Sequence, residues 1–447
     1  MFESHCCDIL ETGKFRNKSG YMVTNIEIPP SARRLIGSLR DIGYDFFTAV
    51  ADVVDNSVVA GARNVEIEIR FDGQESSVII GDDGIGMTER QINEALRFGS
   101  QRQYSTNDLG RYGLGLKTAS ISQCRRLTVL SRHSPSRCRI VGRQLDLAFI
   151  EDTDRWEVID PELRGNVSRA AVLLSQGPGT VVLWEELDRV FGATDVEGGW
   201  AKRRLAKLAP SLESYLGMVF HRFIEGSVSN RGPLHILVNG EKVQPWNPFA
   251  PNEETTALLP LRWEIPSSIG SSFVTLNRYV LPPRSRFTTQ EEFERLSGPL
   301  KWNRQQGLYI YRSDRMVQAG GWSGLRTLDE HTKLARASLD FPSILDDLFN
   351  VDVAKMRAPI PSEVRQMLED PINELTREAD VVYRSDASSR SESQRVSKRS
   401  SETVEGAALA IRASAMMAGV SREQLRLFEE NLRKNHPDLA AALGFGG

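Results

Sequence analysis

Asp52 and Asn56 stand four residues apart in a segment where Phe46, Phe47, Val50, Val53, Val54 and Val58 recur at helical spacing. That spacing predicts a helix over about residues 44–60, with the acid and the amide side by side on one face. Asn is a poor mid-helix residue because its side chain competes for backbone hydrogen bonds. Its amide oxygen can ligate a hard cation such as Mg²⁺ that also holds phosphates, while a neighbouring carboxylate can orient water. A solvated helix face is the plainer reading of the pair taken alone, and Asp55 stands beside it as a second acid.

A second cluster, Asp82-x-Gly84-x-Gly86-Met87, follows the strand-like Val78-Ile79-Ile80. An acid at that place can accept a hydrogen bond from an exocyclic amine, and glycines let a flat ring approach the backbone. By itself the pattern also fits a tight turn. The third cluster is Gly110-Arg111-Tyr112-Gly113-Leu114-Gly115-Leu116-Lys117, running into a helix. Backbone N–H groups at such a helix start can face phosphates. The spacing is not that of a Walker loop, and no first strand with an acid about 20 residues on marks a dinucleotide fold.

The elements that must carry these residues alternate irregularly. Gly61 is placed to cap the first helix, and Val65, Ile67, Ile69 and Phe71 alternate like a strand. A helix is expected over about 89–98 and further strands over 127–131 and 181–184, a mixed α+β sandwich rather than strict βαβ repetition. A helical stretch over about 200–224 leads to a second block with strands at 234–238 and 273–281 and a hairpin at 307–318. Residues 384–398 are Ser- and charge-rich and read as a linker. Helical periodicity returns from about Glu405 to Leu443 around a break at Gly419.

The order of these pieces resembles the GHKL (Bergerat-fold) ATPase superfamily of gyrase B, the large heat-shock chaperone, MutL, histidine kinases and MORC proteins. The motifs are D-x-x-x-N on a helix, strand-DxGxG, a polar lid at 99–108, GRYGLGLK before a helix, and Gly179-Thr180 on a strand. Gly110 to Lys117 looks most like the prokaryotic MORC/MutL-like branch, with heat-shock-chaperone-like ATPases also close. The resemblance implies a Bergerat ATPase sandwich (1–228), a transducer, ribosomal-protein-S5-like α/β domain (229–375), a linker (376–404) and a helical tail (405–447). It implies ATP and Mg²⁺ as cofactors. Asn56 would ligate the metal, and Asp82 would take the adenine amine with Thr180 helping through water. Gly84, Gly86 and Met87 would shape the base pocket. Gly110, Arg111, Tyr112, Gly113, Leu114, Gly115, Lys117 and Thr118 would hold phosphates. Lys355, in Asn350-Val351-Asp352-Val353-Ala354-Lys355, would reach the γ-phosphate from the second domain, after the hairpin Gly307 to Arg312.

The general base of the family, four residues before the Asn, is usually Glu; here it is Asp52. One methylene less withdraws the carboxylate by about 1.5 Å, so the resemblance implies slow hydrolysis or none. The expected function is an ATP-promoted homodimeric clamp acting with nucleic-acid-processing partners, in DNA-associated processes or antiviral (phage) defence. A chaperone-like ATPase and a non-hydrolysing ATP-sensing scaffold are the alternatives. A histidine kinase is disfavoured because the 43 residues before Tyr44 hold only His5, and a topoisomerase subunit because no cleavage domain follows.

Composition agrees with this frame. The chain of 447 residues is 40% hydrophobic and 26% charged, with a formal net charge of −3, the mix of a multidomain globular protein without a global basic footprint. No apolar run approaches the roughly 18–20 residues of a membrane span, and the N-terminus does not read as a signal peptide, so a cytoplasmic location is expected. Cys6, Cys7, Cys124 and Cys138 lack the spacing of a zinc site or disulfide framework. Arg384, Arg390, Arg395, Lys398 and Arg399 outnumber the nearby acids Asp386 and Glu392 and could touch phosphates, though such short runs are usually just solvated.

Overall fold

Alternating side chains at the centre of the first domain send apolar groups to both faces of one sheet. Val78, Ile80, Val182, Trp184, Leu127 and Val129 face one core, while Ile79, Val181, Leu183 and Leu130 face another. This period of two builds a sheet covered on both sides. The computed structural model describes residues 13–16, 22–25, 30–41, 43–98, 115–133, 139–191, 199–267, 270–351, 359–443 and 445.

The chain begins with the paired strands β1 (Gly13–Arg16) and β2 (Met22–Asn25), then α1 (Ala32–Arg40) and α2 (Phe46–Val59). Next come β3 (Asn64–Arg70), β4 (Ser77–Asp82), α3 (Glu89–Leu96), α4 (Gly115–Ile121), β5 (Arg126–Arg132) and β6 (Val141–Asp146). They are followed by α5 (Leu147–Thr153), α6 (Gly165–Val172), β7 (Gly179–Glu185), α7 (Asp188–Phe191), α8 (Gly199–Val219) and α9 (His221–Glu225). With β8 (His235–Val238) and β9 (Glu241–Lys242) they complete a seven-stranded sheet of order β6-β5-β7-β4-β3-β8-β9. Its larger core is closed by α2 and α8, its smaller one by Val167 and Ala170 of α6. The α+β sandwich is therefore present.

α2 starts at Asp45, whose carboxylate accepts the Thr48 N–H at 2.8 Å, and ends in a left-handed turn. Gly61 has φ +76°, its N–H reaches Val58 O, and the Ala62 N–H reaches Ser57 O. Those are the two bonds of a Schellman cap. The plainer reading of Asp52 and Asn56 as a solvated helix face holds for Asn56, which is exposed, and fails for Asp52, which is buried like its neighbour Asp55 because α2 is enclosed nearly all round. Packing of α8 and the second domain covers the side that periodicity leaves polar.

The second domain is a five-stranded sheet of order β10-β11-β14-β12-β13. Its strands are β10 (Thr256–Ser267), β11 (Gly270–Val280), β12 (Gly307–Arg312), β13 (Arg315–Gln318) and β14 (Ala335–Phe341), with the short helices α10 (Gln290–Leu296) and α11 (Lys301–Gln305) between β11 and β12. The strand expected to open this domain, 234–238, instead pairs in parallel with β3 as β8. A boundary at 228/229 therefore falls inside the first sheet. The hairpin at 307–318 has a tight turn at Ser313 and Asp314, both with positive φ.

The segment read as a linker, 376–404, is helical backbone throughout, within α12 (Ser362–Met417). Between Pro371 and Gly406 it holds neither Pro nor Gly, so nothing breaks the ladder. Low apolar content removes a core partner but not helix propensity. Gly419, at φ +85°, turns the chain into α13 (Arg422–Asn435) and α14 (Pro437–Ala442). No helix among the described residues is long and apolar enough to cross a membrane.

Ile67 is completely buried between the sheet and its helices. Ile67→Ala should cost about 2–5 kcal/mol, read in urea melts as a lower midpoint at unchanged slope.

Candidate nucleotide site

Ser57 Oγ, one turn past Val53 on α2, donates to Asp82 Oδ2 at 2.9 Å, and the Gly84 N–H donates to Oδ1 at 2.9 Å. The Thr180 backbone, opposite Asp82 in the β4–β7 register, adds a further N–H. A carboxylate offers about four acceptor positions, so one remains for an outside donor such as an exocyclic amine. Burial raises the Asp82 pKa above its ordinary value, and these donors pull the other way.

The glycines around Asp82 serve close approach. Gly86 has φ +65°, and a Cβ there would sit 2.0 Å from the Arg132 carbonyl oxygen. A Cβ on Gly179 would lie 2.0 Å from the Asp82 carbonyl oxygen. Gly84 packs against Ala60 at the end of α2. The Met87 N–H donates to Ser131 Oγ at 2.7 Å, and the Thr180 hydroxyl lies 3.0 Å from the same oxygen. Ser131 thus knits three parts of the site together, a role that no sequence pattern flagged.

Midway along α2, Asp52 Oδ2 accepts the Tyr44 hydroxyl at 2.8 Å. Burial, reinforced by the Asp52 charge, pushes the Tyr44 pKa well up, so the phenol remains a donor. Thr118 of α4 also bonds Tyr44. A Cβ on Gly115 would meet Asp52 Oδ2 at 3.0 Å, so the first residue of α4 lies against this carboxylate. Asn56 Nδ2 donates to the Asp52 carbonyl oxygen at 2.9 Å. Its exposed Oδ1 is then the atom left to face a cation. A single amide oxygen fits Mg²⁺ shared with phosphates and water.

Asp55, the alternative acid, is committed elsewhere. Its carboxylate pairs with Arg315 Nε at 2.8 Å and both groups are buried, which leaves Asp52 as the acid that faces α4. Lys117 reaches back to α3. Its Nζ donates to the carbonyls of Ala95 at 2.8 Å and Arg97 at 2.7 Å, closing the end of α3. Burial lowers its pKa to about 8, and the Glu94 charge opposes that shift. A basic group at a helix C-terminus satisfies orphan carbonyls, and this use competes with a phosphate role.

Gly110, Arg111, Tyr112, Gly113, Leu114 and the lid over 99–108 lie outside the described residues, as do Lys355, Cys6, Cys7 and Cys138. Cys124 is a buried thiol bonded to the Ser120 carbonyl. Arg384 pairs with Asp380 at 2.9 Å. Tyr44, Ser57 and Arg315 were missed by the sequence reading; Arg315 is 260 residues from its partner and carries no local signal.

Residues 44–180 match the family described as histidine kinase-, DNA gyrase B- and HSP90-like ATPase. The sandwich over this segment carries that likeness, and residues 44–180 resemble a GHKL ATPase domain. The chain is similar to ATPase morc-1 of Caenorhabditis elegans, 33% identical over 19% of this chain and 10% of that protein. It is also similar to Protein MICRORCHIDIA 6 of Arabidopsis thaliana, 33% identical over 20% of this chain and 14% of that one. Protein MICRORCHIDIA 5 of the same plant is 31% identical over 25% of this chain and 17% of its own length. The chain therefore spans under a fifth of each of these relatives.

Because burial raises the Asp82 pKa, the folded protein binds a proton there more readily than the unfolded chain. Stability then falls as pH rises through the folded pKa and is regained as pH drops. Asp82→Asn should remove that dependence: relative to the variant, wild type should gain stability between pH 7 and pH 4, read from urea midpoints across pH.

Proposed function

We propose that this protein is an ATP-binding, slowly hydrolysing molecular switch whose copies close on one another as a nucleotide-promoted dimeric clamp. The observation that carries the reading is the pairing on α2 of a buried, oriented carboxylate, Asp52, with an exposed amide, Asn56, one turn away. Asp82, tied to the same helix through Ser57, supports an adenine contact.

In this reading Asp52 takes a proton from water in line with the γ-phosphate, and Tyr44 holds the carboxylate in a fixed rotamer. Asn56 supplies an oxygen to Mg²⁺, which when bound would neutralise phosphate charge. Gly86 and Gly179 shape the base pocket by letting the backbone around Asp82 and Arg132 approach closely. Gly110 to Leu114 and Gly115 would approach the phosphates, and Lys355 would supply a positive charge from the second domain. The resemblance of Gly110 to Lys117 to the MORC/MutL-like branch supports a setting beside nucleic acids, and antiviral defence is the biological context proposed for this chain. The bond from Tyr44 to Asp52 favours a second reading, a non-hydrolysing ATP sensor, because a carboxylate engaged by a phenol and shortened by a methylene is a weaker base.

Phosphate release separates the two. Asp52→Asn keeps an acceptor for Tyr44 but removes the base. It should lower turnover by about 10²-fold or more, with affinity for a non-hydrolysable ATP analogue within about threefold. A wild-type rate at background would leave the sensor. Calorimetry on Asp82→Asn should show nucleotide affinity reduced about tenfold, the worth of roughly 1.4 kcal/mol at a buried hydrogen bond. Undiminished affinity would remove Asp82 from the adenine contact.

A further inference from the structure

Arg315 belongs to the second domain yet spends its charge in the first. It sits on β13, directly after the turn at Ser313 and Asp314, and its Nε lies 2.8 Å from Asp55 Oδ2 and 2.9 Å from Oδ1. Both side chains are almost wholly buried, at 1% and 2% exposure. Arg312, on the same hairpin and equally enclosed, offers the contrast: it pairs inside its own domain with Asp346, at 2.6 Å. The hairpin therefore carries one arginine for its own core and one for the ATPase domain.

The place of Asp55 gives this pair its meaning. It is three residues after Asp52 and one before Asn56, within the same turn of α2. The charge of Arg315 is felt at Asp52 and at Tyr44 as well, and the Phe220 ring lies 5.9 Å from its guanidinium. A buried ion pair is seldom better for stability than apolar side chains of the same volume. Its directional, charge-assisted bonds instead fix geometry.

We propose that Arg315 is a positioning residue for the nucleotide site: it holds the Asp52–Asn56 turn in register, so that nucleotide occupancy and docking of the second domain are coupled. The inference rests on the nucleotide reading above. It extends that reading by making turnover depend on a hairpin that touches neither base nor phosphate.

The test uses the full chain and the double variant Asp55→Asn with Arg315→Met, which removes both charges at similar volume. The expected result is a melting temperature and an ATP-analogue affinity close to wild type, with kcat down about 10²-fold and KM within threefold. Wild-type kcat in a folded double variant would overturn the proposal. If the double variant does not fold, Arg315→Lys decides: a kcat loss of about tenfold at unchanged KM supports positioning, and wild-type kinetics overturns it. If wild-type turnover is at background, hydrogen exchange reads the coupling instead. Analogue-induced protection of 307–318 that vanishes in the variant (in Arg315→Lys if the double variant does not fold) supports it, and protection that persists, or is absent in wild type, overturns it. A wild type that binds no analogue overturns the nucleotide reading and this inference together, whereas binding with equal kinetics overturns the inference alone.

Discussion

A helix that turns carboxylates inward must give each of them a partner, and α2 is organised by that requirement. Three acids along or beside it are held in three ways. Asp45 caps the first turn, Asp52 takes the Tyr44 hydroxyl, and Asp55 takes a guanidinium from another domain. An unpartnered carboxylate at any of the buried places would cost several kcal/mol. The partners therefore dictate where Tyr44, α4 and the β12–β13 hairpin can lie. The site is a product of this satisfaction as much as of the sheet beneath it.

The first domain was legible because its apolar positions follow clean periods. The α2 helix, the alternation in β3, the strand before Asp82 and the cap at Gly61 follow from residue type and spacing alone, and the chemistry of Asp52, Asn56 and Asp82 was suggested by the same means. Depth was not legible. Nothing local distinguishes an acid on a wet helix face from one enclosed by later elements, because the groups against these acids include Gly115 of α4 and Arg315 of the second domain. Lys117 illustrates a related limit: a lysine near a glycine-rich stretch reads as a phosphate ligand, and nothing local signals that it also meets the open carbonyls of α3.

The second domain was harder to read because charged groups occupy interior positions. Arg278, Arg312, Arg315 and Arg336 are all buried, and a binary apolar pattern registers each as a surface residue. β14 escaped notice for this reason. Arg336 is wholly enclosed there and donates to the carbonyls of Pro248 at 2.6 Å and Leu296 at 2.9 Å, with Trp246 and Trp302 against its guanidinium. Delocalised charge and a planar fork let arginine enter such places when carbonyls or rings meet it.

α12 has a mechanical consequence. Its root is set in the second core by Val364, Leu368, Ile372 and Leu375, while Ala408 near its far end packs with Ala440 and Phe445 of the tail. At 1.5 Å per residue, the contour from Leu375 to Ala408 is about 50 Å. A rotation of about 10° at the root would sweep the tip through roughly 9 Å over that length. The helix is thus a pointer: a small angular adjustment of the second domain becomes a displacement as wide as a neighbouring helix, and the direction of the tail is decided at its base.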